Sequence, residues 1–268
     1  MADLQRLVNT QGPPFLRASE PDSRRFELKV GRAEIGTIST GGDVLVKEIV
    51  ASAFDVIVLR YPAQETGLFA QLMGPAFHVI HADSLMYSEK PLADAGPEEL
   101  EQFACRTASK DDAAVISDLV DAAFDDYPSH YSANPLLSPR RIRAGYVEWA
   151  LTFVADENRE LLLLSSVGDD EVKAFSAVEI ATVGEIVLAG VHPAWRMQGW
   201  YNRAFAAAED SLRRRGCSSA WTSTQISNVA SQRNWRTRGY IPRLSFQTVH
   251  LVRRDLWEPT TGPAPVRA

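Results

Sequence analysis

Gly184-Glu185-Ile186-Val187-Leu188-Ala189-Gly190-Val191-His192-Pro193-Ala194-Trp195-Arg196-Met197-Gln198-Gly199 reads as a β-strand that stops at a proline and turns into a helix. The strand covers Glu185–Val191, and Pro193 ends it. Beyond Gly199 the period changes from two to 3.6, because Tyr201, Phe205, Ala208 and Leu212 fall at i, i+4, i+7 and i+11 before Gly216 stops the helix. A loop at a helix start offers free backbone N–H groups and the positive end of the dipole to an anion. Gly199 allows close backbone approach and Pro193 removes one competing donor. Such a turn suits a pyrophosphate, although the hexapeptide alone also fits an ordinary strand-to-helix turn.

Outward from this turn the elements follow in a clear order. Upstream, Cys105–Ala108 is a short strand. Asp111–Phe124 is a helix with Ala114, Ile116, Leu119, Val120 and Phe124 in its apolar stripe. Ser138-Pro139 opens a second helix that runs past Tyr146 and Trp149 towards Phe153. Leu161–Ser166 and Val172–Ile180 are strands joined by Gly168-Asp169-Asp170. Downstream, Ser219–Thr224 is a strand, Asn228–Arg238 a helix stopped by Gly239, and Leu244–Val252 a last strand. The pattern predicts a mixed α/β fold.

Residues 26–88 predict a smaller α/β unit that packs against the larger one. Val44-Leu45-Val46 is a buried stretch, Val56–Tyr61 a strand, and Glu65–Leu72 a helix; Phe77–Ile80 and Leu85–Tyr87 are two short strands. The expected organisation is a loose lead-in over 1–25, the small unit over 26–88, a linker rich in Pro, Gly and acid over 89–102, the main domain over 103–256, and a tail over 257–268 too rich in Pro and Gly to fold.

The net charge of −6 argues against a sequence-independent grip on nucleic acid, and Arg213-Arg214-Arg215 reads as a helix end. Cys105 and Cys217 have no metal-ligand spacing, so no metal is expected and reduced thiols in a cytoplasm are. No apolar run reaches the roughly 18 residues of a membrane span. An edge strand exposed in 26–88 would allow pairing into a homodimer.

The segment Val191-x-Pro193-x-x-Arg196-x-x-Gly199-x-Tyr201 resembles the core motif of the GNAT acyltransferases, V-x-P-x-x-[RQ]-x-x-G-x-[GA]. Asn228-x-x-Ser231-x-x-x-Trp235-x-x-x-Gly239-Tyr240 resembles that superfamily's following helix. The resemblance spans about 103–252 and implies a mixed sheet splayed between two strands, with acetyl-CoA or another acyl-CoA in the gap. It implies that Val191 and the backbone of Arg196, Met197, Gln198, Gly199, Trp200 and Tyr201 hold pantetheine and pyrophosphate. Asn228, Ser231 and Trp235 then border the pantetheine arm. Two positions depart from the pattern: Tyr201 stands where the family has a small residue, and Trp235 where a tyrosine often protonates the leaving thiolate. An indole N–H donates a hydrogen bond but is no useful acid.

Amide formation from a thioester needs a neutral amine, a donor for the oxyanion and a base for the ammonium proton. Glu179 and Glu185 on the central strands are the expected bases, with His192, His130 and Tyr131 as weaker ones. His130, Tyr131 and Gln225 are the expected acceptor contacts, the first two on the long segment Tyr127–Pro135. The two-part layout, with His130-Tyr131-x-x-Asn134-Pro135 and Tyr146-x-x-Trp149, resembles TDP-fucosamine acetyltransferase and its relatives. That likeness implies a nucleotide-linked amino sugar as acceptor, its phosphates against Arg140 or Arg143. The alternatives are another small amine (an antibiotic or an amino acid), a non-catalytic acyl-CoA-binding module, or a ligand-sensing domain.

Overall fold

A computed structural model describes residues 15–36, 42–92 and 103–257. Among them one ten-stranded sheet runs through the molecule, in the order β1-β2-β3-β10-β4-β9-β8-β7-β6-β5. Its strands are β1 (Phe15–Ala18), β2 (Val30–Glu34), β3 (Val56–Pro62), β4 (Phe77–Pro91), β5 (Ala104–Thr107), β6 (Arg159–Ser165), β7 (Ala174–Glu179), β8 (Gly184–Val191), β9 (Ser219–Gln225) and β10 (Ile241–Arg253). The β2/β3 and β8/β9 pairs are parallel and the rest antiparallel.

The described helices are α1 (Glu20–Phe26), α2 (Gly42–Ala51), α3 (Leu68–Leu72), α4 (Ala113–Ala123), α5 (Pro139–Leu151), α6 (Trp200–Arg214) and α7 (Val229–Thr237). Helices α4 and α5 lay Ile116, Leu119, Val120 and Ala150 over Leu161, Leu163, Phe175, Ala177 and Leu188 on one face, which we call the front. The back face takes α6, whose Ala204 and Phe205 meet Leu162, Ala174, Val178 and Ile186. Towards the other end, α2 and α3 cover Ala33, Ile57, Leu59, Val249 and Leu251 on the back. Each fully buried aliphatic or aromatic side chain in these layers is worth about 1.5–3 kcal/mol.

Several elements differ from the sequence reading. Val44-Leu45-Val46 belongs to a helix whose Leu45 and Ile49, one turn apart, are buried. Residues 15–25, expected in a loose lead-in, form β1 and most of α1, held by the buried Asp22. Phe77–Ile80 and Leu85–Tyr87 are parts of one strand that extends to Pro91, into the expected linker. This β4 lies between β9 and β10, so hydrogen bonds of the sheet join the small N-terminal unit to the main domain. Residues 93–102 of the linker and 258–268 of the tail lie outside the described residues. No described helix is long and apolar enough to cross a membrane.

Candidate active site

Strands β8 and β9 pair only from Gly184↔Ala220 to Ile186↔Thr222. Beyond that point β8 continues against β7 alone and β9 against β4 alone. A register shift between Ala177 and Val178 leaves Val187 as the extra residue, a bulge placed where the strands part. The β9-facing N–H and C=O groups of β8 past Ile186 therefore have no strand partner, and a cleft of about 500 Å³ opens between the two strands. Its walls include Leu188 and Val191 of β8, Thr224 of β9, Tyr127 after α4, and Asn228 and Ser231 at the start of α7.

The turn from Arg196 to Gly199 closes one end of this cleft. Met197 and Gly199 both have left-handed backbones, with φ of 62° and 80°. An added Cβ at Gly199 would meet only the Arg203 guanidinium, no nearer than 3.5 Å, so the glycine is needed there for its dihedral and not for space. No side chain caps α6, and its first N–H groups have no carbonyl one turn back to bond. Arg196 donates to the Ala123 carbonyl at 3.1 Å, and Arg203 to that of Gln198 at 2.8 Å. Two guanidinium groups thus flank an uncapped positive helix end, an electrostatic seat for an anion.

Of the residues expected around acyl-CoA, Val191, Arg196, Met197, Gly199, Trp200, Tyr201, Asn228, Ser231 and Trp235 line the cleft. Gln198 is in the same turn and donates from its side chain to the Ala194 carbonyl at 3.3 Å. Trp200 is buried against Ala204 and Phe103. Asn228 caps α7 by accepting from the Ser231 N–H at 3.2 Å, and donates to Thr224 Oγ1 at 3.0 Å.

The two departures from the motif meet each other. Trp235 is buried with Phe205 and Tyr240, and its indole N–H donates to the Tyr201 hydroxyl at 3.3 Å. Burial pushes the Tyr201 phenol up to about 12. A phenol oxygen that accepts from an indole, a donor-only group, keeps its own proton available for another partner.

The expected bases fall elsewhere. Glu179 and Glu185 face each other across β7 and β8, and Glu185 faces Trp221 of β9, on the closed side of the parting point. Neither lines the cleft, and Glu179 is bound by Arg159 at 2.8 Å. His192 accepts the Ala194 N–H at 3.3 Å, a local turn contact.

The expected acceptor contacts separate into two groups. Gln225 does not line the cleft itself, but its side-chain oxygen accepts from the hydroxyl of Tyr127, which does. His130 and Tyr131 belong instead to a packed interior network. Tyr131 donates to Asp22 Oδ1 at 3.0 Å and accepts from Arg32, while Arg25 and Arg32 reach Asp22 at 2.9 and 2.8 Å. Burial pushes the Asp22 carboxyl up, but Arg32 and the hydrogen bonds from Ser19 and Tyr131 outweigh it and hold it below the carboxylate range. His130 Nδ1 lies 2.9 Å from His250 Nε2, and Asn134 donates to His250 Nδ1 at 3.3 Å. With Nδ1 accepting, His250 carries its proton on Nε2 and passes it to His130 as a hydrogen bond. Burial lowers both imidazoles, His250 to about 3.

One group on this side escaped the sequence reading. Asp83, on β4, has both carboxylate oxygens buried without a hydrogen-bond partner. Thr248 and Arg60 share its row across the sheet. Burial holds the Asp83 carboxyl above the usual range.

Residues 119–240 match the model of the Acetyltransferase (GNAT) family. No curated protein matches the chain in sequence. Among solved structures, a GCN5-related N-acetyltransferase from Sphaerobacter thermophilus superposes with a TM-score of 0.60 at 16% identity, over 90% of this chain and 77% of that one. One from Kribbella flavida gives 0.50 at 16%, over 84% and 81%. A functionally unknown conserved protein from Staphylococcus epidermidis gives 0.53 at 10%, over 88% of each chain. At these identities the likeness is one of fold. Domains of the matched family use acetyl-CoA as co-substrate, and residues 119–240 of this chain are similar to them in sequence.

Proposed function

We propose that this protein transfers an acetyl group from acetyl-CoA to the amine of a small molecule by direct attack of the amine on the thioester. The observation that carries this reading is the cleft between the parted strands, which ends on the uncapped start of α6. The residues fit the co-substrate: the turn Arg196–Tyr201 suits its pyrophosphate, and the unpaired edge of β8 suits the amides of its pantetheine. Asn228 and Ser231 border that arm. The bound co-substrate supplies the activated acyl group.

Tyr201 takes the place of the family's acid. Its hydroxyl borders the cleft, and the Trp235 N–H fixes its oxygen as an acceptor, which leaves the phenol proton for the departing thiolate. The strand bulge at Val187 lies where β8 loses its β9 partner, and a backbone N–H freed there is the donor for the oxyanion in this reading. For the acceptor, Arg143 is held by Asp121 at 2.8 Å and by Asp125, and so lends no support to a nucleotide phosphate.

The test is release of free thiol from acetyl-CoA against a panel of amines that includes nucleotide-linked amino sugars, aminoglycosides and amino acids. Amine-dependent release is expected. Tight acetyl-CoA binding with no release from any amine would leave a binding module and remove the enzyme reading of the cleft. Gly199→Ala forces a side chain into a left-handed backbone at about 1–2 kcal/mol, so acetyl-CoA affinity should fall about tenfold by calorimetry.

A further inference from the structure

The front face of the sheet carries a polar row that the cofactor cleft does not use. Glu34 pairs with Arg60 across β2 and β3, Arg60 with Thr248 across β3 and β10, and Thr248 with Asp83 across β10 and β4. Direct cross-strand partners point to the same face of a sheet, so these four side chains stand in one line. Asp83 is also two residues along β4 from Leu85, the partner of Gln225 at the end of β9. The row therefore ends beside Gln225, which meets the cleft wall at Tyr127.

Glu34 has a partner, and the other three members of this row each keep a polar atom without one. Both oxygens of Asp83, the Nε of Arg60 and the hydroxyl of Thr248 are buried without a hydrogen-bond partner. Thr248 is fully buried and lies beside the Asp83 carboxylate without a well-formed bond to it. Arg60 and Asp83 form no ion pair with each other among the described residues; each feels the other's charge across Thr248. Unpaired buried charge costs several kcal/mol, and folded chains rarely keep it without a use. The neighbouring network shows the contrast, since Asp22, Arg32 and Tyr131 are bonded to one another.

A ligand that satisfies a carboxylate without a hydrogen-bond partner and a guanidinium whose Nε lacks one, on one face, carries both a cation and an anion. Adjacent strands are about 4.8 Å apart, so Arg60 and Asp83 stand two strand spacings apart across Thr248, a span that the two side chains and the charged ends of a small amino-carboxylate can bridge. We infer that the acceptor is an amino acid or a similar amino-carboxylate, its ammonium held and deprotonated by Asp83 and its carboxylate held by Arg60. This rests on the proposed acetyl transfer and selects the class of amine.

The proton balance is closed. Asp83 takes one proton from the ammonium, which becomes a neutral amine. The amine's lone pair forms the N–C bond at the thioester carbonyl, and the C–S bond breaks with its electron pair going to sulfur. The thiolate takes the Tyr201 proton, the nitrogen gives up its surplus proton to restore the phenol, and Asp83 later releases its proton to solvent. The products are the N-acetyl amino acid, CoA thiol and one proton.

The experiment uses the full chain with CoA present, titrated by calorimetry with glycine, L-leucine, L-glutamate and L-lysine, each beside its α-carboxamide. The same compounds are then run with acetyl-CoA for thiol release. At least one amino acid should bind and turn over at least about tenfold better than its amide, the loss expected when a buried charged partner is left unmet. Arg60→Gln should bring that ratio close to one. Asp83→Asn should lower kcat/KM about 100-fold with acetyl-CoA binding unchanged, while Tm holds or rises because an unpaired buried charge is gone. Binding of no amino acid, equal use of acid and amide, or a Tm that falls with activity in Asp83→Asn would overturn the inference. Turnover of other amines in those cases would leave the acyltransferase reading standing. Amino acids that bind in this pattern without thiol release would instead remove that reading and keep the site.

Discussion

Tyr201 and Trp235 look like two defects when each is compared with a motif, and like one device when their contact is seen. Removing the phenol tests this directly: Tyr201→Phe should cut kcat about 100-fold with little change in acetyl-CoA affinity, since it deletes the proton and keeps the ring. Trp235→Phe should give a smaller loss, because it frees the phenol oxygen without removing the acid. A Tyr201→Phe enzyme within twofold of the parent in kcat would leave the thiolate to depart unaided. Glu185 supplies the matching control. It lies where β8 and β9 are still joined, and Glu185→Gln should keep kcat within about twofold, the range of a change that touches no reacting group. The sequence could name Tyr201, Trp235 and Asn228 because their spacing is local, within a turn and two helices. It could not name Asp83. His81-Ala82-Asp83-Ser84 read as a gap between two short strands, whereas Ala82 is an extra residue in one continuous strand, between the Asp83↔Thr248 and His81↔Val249 pairs. Only the partner strand, far away in the chain, reveals the bulge and the face that Asp83 takes.

At the scale of elements, the segment His130–Ala133 ties α1, β2 and β10 together on the front face. Its residue types suggested recognition, because aromatic and imidazole groups on a long connection serve either purpose until their partners are known. The two buried imidazoles give this junction a pH signature. Their folded-state pKa values lie below the unfolded value of about 6.5, so the unfolded chain binds more protons once the pH drops below that value. Stability is therefore full above pH 6.5 and falls below it, by about 1.4 kcal/mol per pH unit for each imidazole that stays neutral. For His250 the loss continues down to about pH 3. Urea melts at pH 7 and pH 5.5 should show the decline, and His250→Asn should flatten it. A slope unchanged in that variant would mean that the titrating groups are elsewhere.

For the molecule as a whole, the main domain's strand and helix order was legible, since each element there carries its own period and its own stops. The joining of the two parts was not legible, because strand order is decided by pairings between distant segments. Strand β4 fills the place between β9 and β10, and β10 is paired on both sides along most of its length. A fragment of residues 103–257 would expose the unpaired edges of β9 and β10 and leave Thr248 without the rest of its polar row. It should lack a cooperative thermal transition by circular dichroism, while the full chain shows one. A fragment that melts cooperatively and binds acetyl-CoA would show that the main domain closes without β4.

The double pairing of β10 also sets a timetable for synthesis. Val252, almost at the end of the described chain, sits opposite Val56 on one side and His78 on the other. Contacts of such high sequence separation form late and slow folding. Until the ribosome has released the last strand, β3 and β4 have no neighbour between them, and their facing edges are open to any other chain. Crowded or slowed expression should therefore favour aggregates seeded by residues 56–91, formed before β10 emerges.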